Sequence, residues 1–168
     1  MCDGVEQLCP NCGLCCDSTL FADVELRAGD DTKQLKRFGL VLHQKNRMKL
    51  AFGQPCACFD GRLCKIYANR PKRCVLFECG LLKRVEANEM TSKAALKKIS
   101  SAKKQVKVVR GLLRLLGQQD ECMALTHRYA AVMSSPVDFS KPDEAERRGE
   151  LMLAVNELMQ ALQWDFLR

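Results

Sequence analysis

Two hydrophobic rhythms divide this chain. Before about residue 85 the apolar positions come in short runs with a period of two. Leu20, Ala22, Val24 and Leu26 fall on one side of a predicted strand, and Phe21, Asp23 and Glu25 on the other. Leu40 to Leu42 and Met48 to Phe52 predict two more strands, joined by the polar stretch Gln44 to Arg47. Asp30 and Asp31 are placed to cap a short helix over Thr32 to Phe38, which Gly39 ends. Two further short segments, Leu63 to Tyr67 and Cys74 to Leu82, flank Arg70-Pro71. Pro71 is suited to open a helix, where its missing N–H would have no partner anyway.

After residue 85 the rhythm lengthens to steps of three and four. Leu96, Ile99, Val106, Val109, Leu113 and Leu116 make one apolar face of a helix from about Glu89 to Leu116, stopped by Gly117. A second helix is predicted from about Asp120 to Met133, before Ser134-Ser135-Pro136. A third begins at Ser140-Lys141-Pro142-Asp143, a capping-box-like start, with Met152, Val155, Met159, Leu162 and Phe166 as its stripe. The expected architecture is α+β. A small cysteine-rich metal-binding domain with short strands occupies residues 1–84, and a three-helix region over 85–168 packs against it. No Gly/Ser/Pro linker separates the two, and Leu76, Phe77, Leu81 and Leu82 form an apolar run just before the boundary.

Composition sharpens this picture. Apolar residues make up 47% of the chain but aromatics only 6%, with Trp164 the single Trp, so the core is built from Leu, Val, Ala and Met. No stretch approaches the roughly 18 apolar residues of a membrane span. Met1 to Glu6 shows neither the basic start nor the apolar run of a signal peptide. A cytoplasmic location is expected, where thiols stay reduced.

Eleven cysteines then need a reason. Nine lie between Cys9 and Cys79, while Cys2 and Cys122 stand outside. Disulfides suit an oxidising compartment and chance burial does not cluster thiols, so metal ligation is the expected role. In Cys9-Pro10-Asn11-Cys12-Gly13-Leu14-Cys15-Cys16, two-residue spacers let thiolates converge and Gly13 allows the tight backbone this needs. Three thiolates from one loop with a remote fourth suit a four-iron cluster. Cys9, Cys12, Cys15 and Cys74 are each expected within bonding reach of a metal or of one another's ligand shell. Adjacent side chains diverge, so one of Cys15 and Cys16 is expected to face a second metal, a different iron, or the core. Cys56, Cys58 and Cys64, then Cys74 and Cys79, complete the set. Nine thiols exceed the needs of one tetrahedral zinc. They suit two zinc ions, two clusters, or one cluster with spare thiols. An iron–sulfur cluster of the 4Fe–4S type is favoured, with zinc as the alternative. His43, beside a strand, reads as a surface residue.

The cysteines sit within a longer pattern. Cys9-x-x-Cys12-x-x-Cys15-Cys16, then Cys56, then Asp60-Gly61-Arg62-Leu63-Cys64-Lys65-Ile66-Tyr67-Ala68-Asn69-Arg70-Pro71-Lys72-Arg73-Cys74, resembles the YkgJ-type CxxCxxCC cysteine-cluster family of zinc- or iron-chelating domains. The resemblance covers about residues 9–82. It implies that Cys9, Cys12, Cys15, Cys16, Cys56, Cys64 and Cys74 are chelating positions. Cys79 matches a further Cys that some members carry after a Phe, here Phe77. Cys58 stands where the family more often has an apolar residue. The same domain resembles part of the iron–sulfur flagellin lysine methylases, but the chain has no further length for such an enzyme, so that activity is not expected. Arg70 and Tyr67 are read as residues around the cofactor. Arg70 would pair with a carboxylate such as Asp60, or donate to thiolate or sulfide, and Tyr67 would be a core ring with its hydroxyl satisfied.

Between Lys93 and Arg114 stand eight Lys or Arg and no acidic residue, within a net charge of +7. A one-sign helix attracts phosphates or an acidic partner. No aromatic residues interleave to stack on single strands, so nucleic acid is not the expected partner, and an acidic or redox protein is the alternative. Asp143, Glu144, Glu146, Glu150 and Glu157 are expected to neutralise some of these charges internally. The chain has no Gly-rich nucleotide loop and no His–carboxylate pair at catalytic spacing. The leading reading is a metal-binding protein with a structural, electron-transfer or metal-handling role. Its rivals are a small redox or group-transfer enzyme acting at the metal, and a zinc-stabilised interaction module using the basic helix.

Overall fold

Helix α5, Ser92–Leu115, is the element on which the rest is assembled. Thr91 caps it by accepting the Ala94 N–H at 3.2 Å. Its buried stripe contains Ile99, Val106, Val109 and Leu113, as the periodicity predicts, and also Ala95 and Ala102. These small side chains, almost fully buried, let neighbouring helices approach closely. The computed structural model describes residues 7–138, 140–141 and 143–168. In chain order these form α1 (Leu8–Cys12), β1 (Asp23–Glu25), α2 (Thr32–Arg37), β2 (Leu42–Asn46), β3 (Lys49–Gly53) and a 3-10 turn (Tyr67–Asn69). After it come α3 (Lys72–Leu76), α4 (Gly80–Glu86), α5, α6 (Leu125–Ser134) and α7 (Glu144–Asp165). The class is α+β, and no helix among the described residues is long and apolar enough to cross a membrane.

Helix α7 lies along α5, and α1, α4 and α6 also pack on α5. The stripe of α7 differs from the expected one. Leu151, Leu158 and Leu162 are buried, whereas Met152 and Met159 are exposed. Leu151-Met152 and Leu158-Met159 offer two adjacent stripes to the same periodicity, and the packing against α5 selects the leucines. Helix α6 starts later than expected, because Asp120 turns the chain first by accepting the Cys122 N–H at 2.9 Å. Helix α7 starts at Glu144 without a side-chain cap at Asp143. Pro142, part of the expected capping start, lies outside the described residues, as does Phe139.

The three strands form an antiparallel sheet of order β1-β3-β2. Val24 pairs with Phe52, and His43 with Ala51. The polar segment expected as a loop is mostly strand, with Gln44 opposite Leu50 and Asn46 opposite Lys49. Ladder hydrogen bonds need no apolar side chains, and Lys45 and Lys49 bond Asp23 and Glu25 across the sheet at 2.7–2.8 Å. Asp31 caps α2 as expected, accepting from the N–H groups of Lys33 and Gln34.

Two apolar cores result. The larger joins Leu8, Leu14 and Leu81 to the buried faces of α5, α6 and α7. The smaller holds Val24, Leu35, Leu40, Phe52, Cys58 and Ile66.

Candidate metal centre

The first cysteine motif begins as a helix. α1 puts Cys9 and Cys12 one turn apart, and Gly13 ends it in the left-handed region at φ 73°. A Cβ at Gly13 would stand 2.6 Å from the Phe59 ring, so both conformation and space require glycine. The Cys16 and Asp17 N–H groups then donate to the Gly13 carbonyl at 2.9 and 3.0 Å, folding the loop back. Leu8 and Leu14, 2% and 0% exposed, anchor the loop in the larger core. The basic helix holds it from the other side. Arg110 donates to the Asp17 carbonyl at 2.7 Å and to its carboxylate at 3.2 Å, and Lys103 donates to the Asn11 carbonyl at 3.1 Å.

The remaining thiols arrive from three directions. The Cys56 N–H donates to the Cys16 carbonyl at 2.9 Å, joining the end of the sheet to the loop. The chain then doubles back: Phe59 bridges Cys64, and the Lys65 N–H donates to the Cys58 carbonyl at 2.8 Å. Asp60 closes this turn by accepting the Arg62 and Leu63 N–H groups, which hold its carboxyl below the usual range. Cys74 rides on α3. The N–H of Lys72 at the head of that helix donates to Asp30 at 2.9 Å, so Asp30 serves α3 from a distance and not α2, where its sequence position places it. Cys79 stands immediately before α4.

Cys9, Cys12, Cys15, Cys16, Cys56, Cys64, Cys74 and Cys79 all line one cavity of about 440 Å³. Its wall is largely apolar, with Phe21 and Phe77 meeting edge to face at 4.9 Å. Cys58 is buried elsewhere and its thiol donates to the Phe38 carbonyl at 3.4 Å. Cys122 is exposed and lines no part of the cavity, and Cys2 lies outside the described residues. The described cysteines are free thiols. No three His, Cys, Asp or Glu side chains among the described residues are gathered closely enough to hold a single ion as they stand.

Burial and neighbouring thiols oppose the ionisation of the cavity cysteines. Burial pushes Cys12 up to about 12, with Cys79 and Cys9 adding to it. Burial also raises Cys15, then Cys12, Cys16, Cys79 and Cys9. Cys9, at the rim, is raised by burial first and by Cys79 second. Burial pushes Cys16 up to about 12, with Cys56, Cys74 and Cys64 as its further opponents. Cys74 is also pushed up to about 12 by burial and then by Cys56 and Cys64. Cys56 rises to about 11, again through burial first. The four thiols expected close together, Cys9, Cys12, Cys15 and Cys74, all line this cavity; Cys79 also bears on Cys9, Cys12 and Cys15, while Cys56 and Cys64 bear on Cys74.

Arg70 and Tyr67 line the cavity in a different way from that expected. The guanidinium lies 3.7 Å from the centre of the Tyr67 ring, and its Nε donates to the Tyr67 carbonyl at 2.9 Å. It does not pair with Asp60. The Tyr67 residue is 59% exposed, so it is a surface platform and no core ring. Arg70 lowers the pKa of both Cys9 and Cys74, partly offsetting their burial. Gln54, which no sequence motif marks, lines the cavity while 4% exposed, and its Oε1 has no hydrogen-bond partner. The charges of α5 are met by Asp17, Asp165 and Glu121, and not by the α7 acids expected; Asp143 and Glu144 pair with Arg147 and Arg148 instead. Of the α7 acids among the described residues, Asp165 at the end of the helix is the one paired with α5, through Lys98 at 2.9 Å.

The donor set fits a thiophilic metal or cluster. Eight thiols, an apolar wall, four cationic residues (Lys45, Arg62, Arg70 and Arg73) and the buried Gln54 amide with its orphaned Oε1 surround the space, and binding would replace thiol protons by metal. The matching family model, described as a "putative zinc- or iron-chelating domain", spans residues 8–96. No curated protein and no solved structure matches the chain. The match takes in all nine clustered cysteines and reaches the first turn of α5, so the chain belongs to the CxxCxxCC family of metal-chelating domains.

Proposed function

We propose that this is an iron–sulfur protein in which the bound metal both stabilises the cysteine region and carries electrons. The observation that carries the reading is the convergence of eight thiols from the CxxCxxCC loop, the sheet exit, α3 and the start of α4 on one apolar cavity. Cys9, Cys12, Cys15, Cys16, Cys56, Cys64, Cys74 and Cys79 are the proposed ligands. Thiolate ligation throughout leaves no open coordination position, which favours electron transfer over chemistry on a substrate. A single zinc with bonds of about 2.3 Å needs only four thiolates drawn tightly together, whereas a cubane distributes its ligands over a wider shell. Arg70 supplies positive charge beside an anionic centre, and the Gln54 amide supplies a buried hydrogen-bonding group.

An electron carrier needs a docking face. Lys93, Lys97, Lys104 and Lys107 are exposed on α5 and have no carboxylate within ion-pair distance among the described residues. That surface suits an acidic redox partner. The deciding experiment is anaerobic purification with iron supplied, followed by metal and acid-labile sulfide analysis and an absorption spectrum. A brown protein with a broad band near ~400 nm that bleaches on reduction is expected. A colourless protein with stoichiometric zinc and no sulfide would overturn the iron–sulfur reading.

A further inference from the structure

The site divides at the peptide bond between Cys15 and Cys16. Side chains of adjacent residues leave the backbone in different directions, and here they reach different neighbours. On one side, Cys9 and Cys12 stand one turn apart on α1, and Cys12 and Cys79 pack on the larger core with Leu8, Leu14 and Leu81. On the other, Cys56, Cys64 and Cys74 pack on the smaller core with Val24, Phe52 and Ile66. The Cys16 carbonyl receives the Cys56 N–H at 2.9 Å, which attaches Cys16 to that second set. No thiol is shared between the two cores. Each set numbers four, a complete ligand shell for one four-iron cluster or one zinc.

We propose that the chain holds two separate metal centres, one ligated by Cys9, Cys12, Cys15 and Cys79 and the other by Cys16, Cys56, Cys64 and Cys74, their ligand shells joined by the single peptide bond between Cys15 and Cys16. Cys58, the ninth thiol of the region, is outside both because it packs within the smaller core and donates to Phe38. Arg70 lines the cavity that holds both sets. The inference rests on the metal-binding reading above and is independent of the metal's identity, because two zinc ions would divide the thiols in the same way.

The test counts centres in the full-length chain, loaded anaerobically with iron and sulfide. If both are 4Fe–4S clusters, wild type carries about eight irons and eight sulfides. C79A and C74A should each lose half of the metal, the double variant all of it, and C58A none. After dithionite reduction, wild type should give a broadened electron paramagnetic resonance signal from two interacting centres, and each single variant the simple signal of one. Two zinc ions per chain without sulfide would uphold the two centres and remove the iron–sulfur assignment. Metal for only one centre in wild type, whether cluster or zinc, would overturn the proposal. So would one non-interacting signal, and both of these readings stand even if a variant fails to fold.

Discussion

The N–H of Gly80 donates to the carbonyl of Phe166 at 2.9 Å, so the end of α7 sits directly on the residue that follows Cys79. A Cβ at Gly80 would lie 2.6 Å from the Arg168 carbonyl and 2.8 Å from that of Asp165. Both obstacles are backbone. Gly80→Ala should therefore destabilise the chain by about 1–3 kcal/mol, the usual cost of overpacking. It should also weaken metal retention through Cys79. Urea unfolding with metal analysis of the folded fraction checks both; a variant with wild-type midpoint and metal content would show that the α7 end yields freely.

Arg110 and Asp17 form the charged link between the basic helix and the CxxCxxCC loop. Both side chains are largely buried, and Arg110 also bonds the Asp17 carbonyl. Arg110→Ala removes both hydrogen bonds and should cost about 1–3 kcal/mol, while Asp17→Asn keeps the carbonyl contact and should cost less. A double-mutant cycle measures the coupling directly, and additive losses would mean that the pair contributes nothing beyond its separate contacts.

Glu121 makes stability depend on acid. Burial pushes its pKa up, but the hydrogen bond and charge of Arg128, with Arg114 and Arg110, outweigh this and hold it below the usual value. Arg128 is 1% exposed, and its carboxylate partner is Glu121. A lowered folded-state pKa contributes stability above the unfolded value of about 4.3, lost as pH falls through the folded value. Glu121→Gln should cost about 1 kcal/mol at pH 7, since about half of the Glu121 side chain faces solvent. The difference between wild type and variant should shrink below pH ~4. A gap that stays constant down to pH 3 would assign the loss to packing.

Removing the metal should unfold the cysteine region. The smaller core holds six buried residues, too few to order its short strands and long loops without a staple. Chelation under reducing conditions should abolish the cooperative transition of that region and expose its thiols to alkylation. Wild-type circular dichroism and melting in a verified metal-free sample would exclude a folding role for the metal.

Truncation after residue 85 should give an insoluble or unstable fragment. Leu8, Leu14 and Leu81 bury against α5 and α7, each at roughly 1.5–3 kcal/mol, and would face water without them. A soluble, metal-loaded fragment would mean that the cysteine region completes its own core.

Much of this was written in the local sequence. Asp31, Gly39 and Pro71 mark helix ends through chemistry confined to neighbouring residues, and Gly13 meets a demand visible in its own loop. The periodicity of α5 was readable because Ile99, Val106, Val109 and Leu113 admit one stripe, whereas Leu151-Met152 and Leu158-Met159 admit two. Cysteine spacing pointed to thiol chemistry and to the divergence of Cys15 and Cys16. It carried no information on which distant thiol meets which. Cys12 and Cys79 come to the same core because their segments pack beneath α5 and α7, and Cys56, Cys64 and Cys74 to the core beside the sheet. The same holds for Asp30 capping α3, for Asp165 pairing with Lys98 and Arg84, and for Arg70 lying over Tyr67. Residue types and short spacings are properties of the chain itself, but partners far apart in sequence are fixed only when packing the two cores brings their segments together.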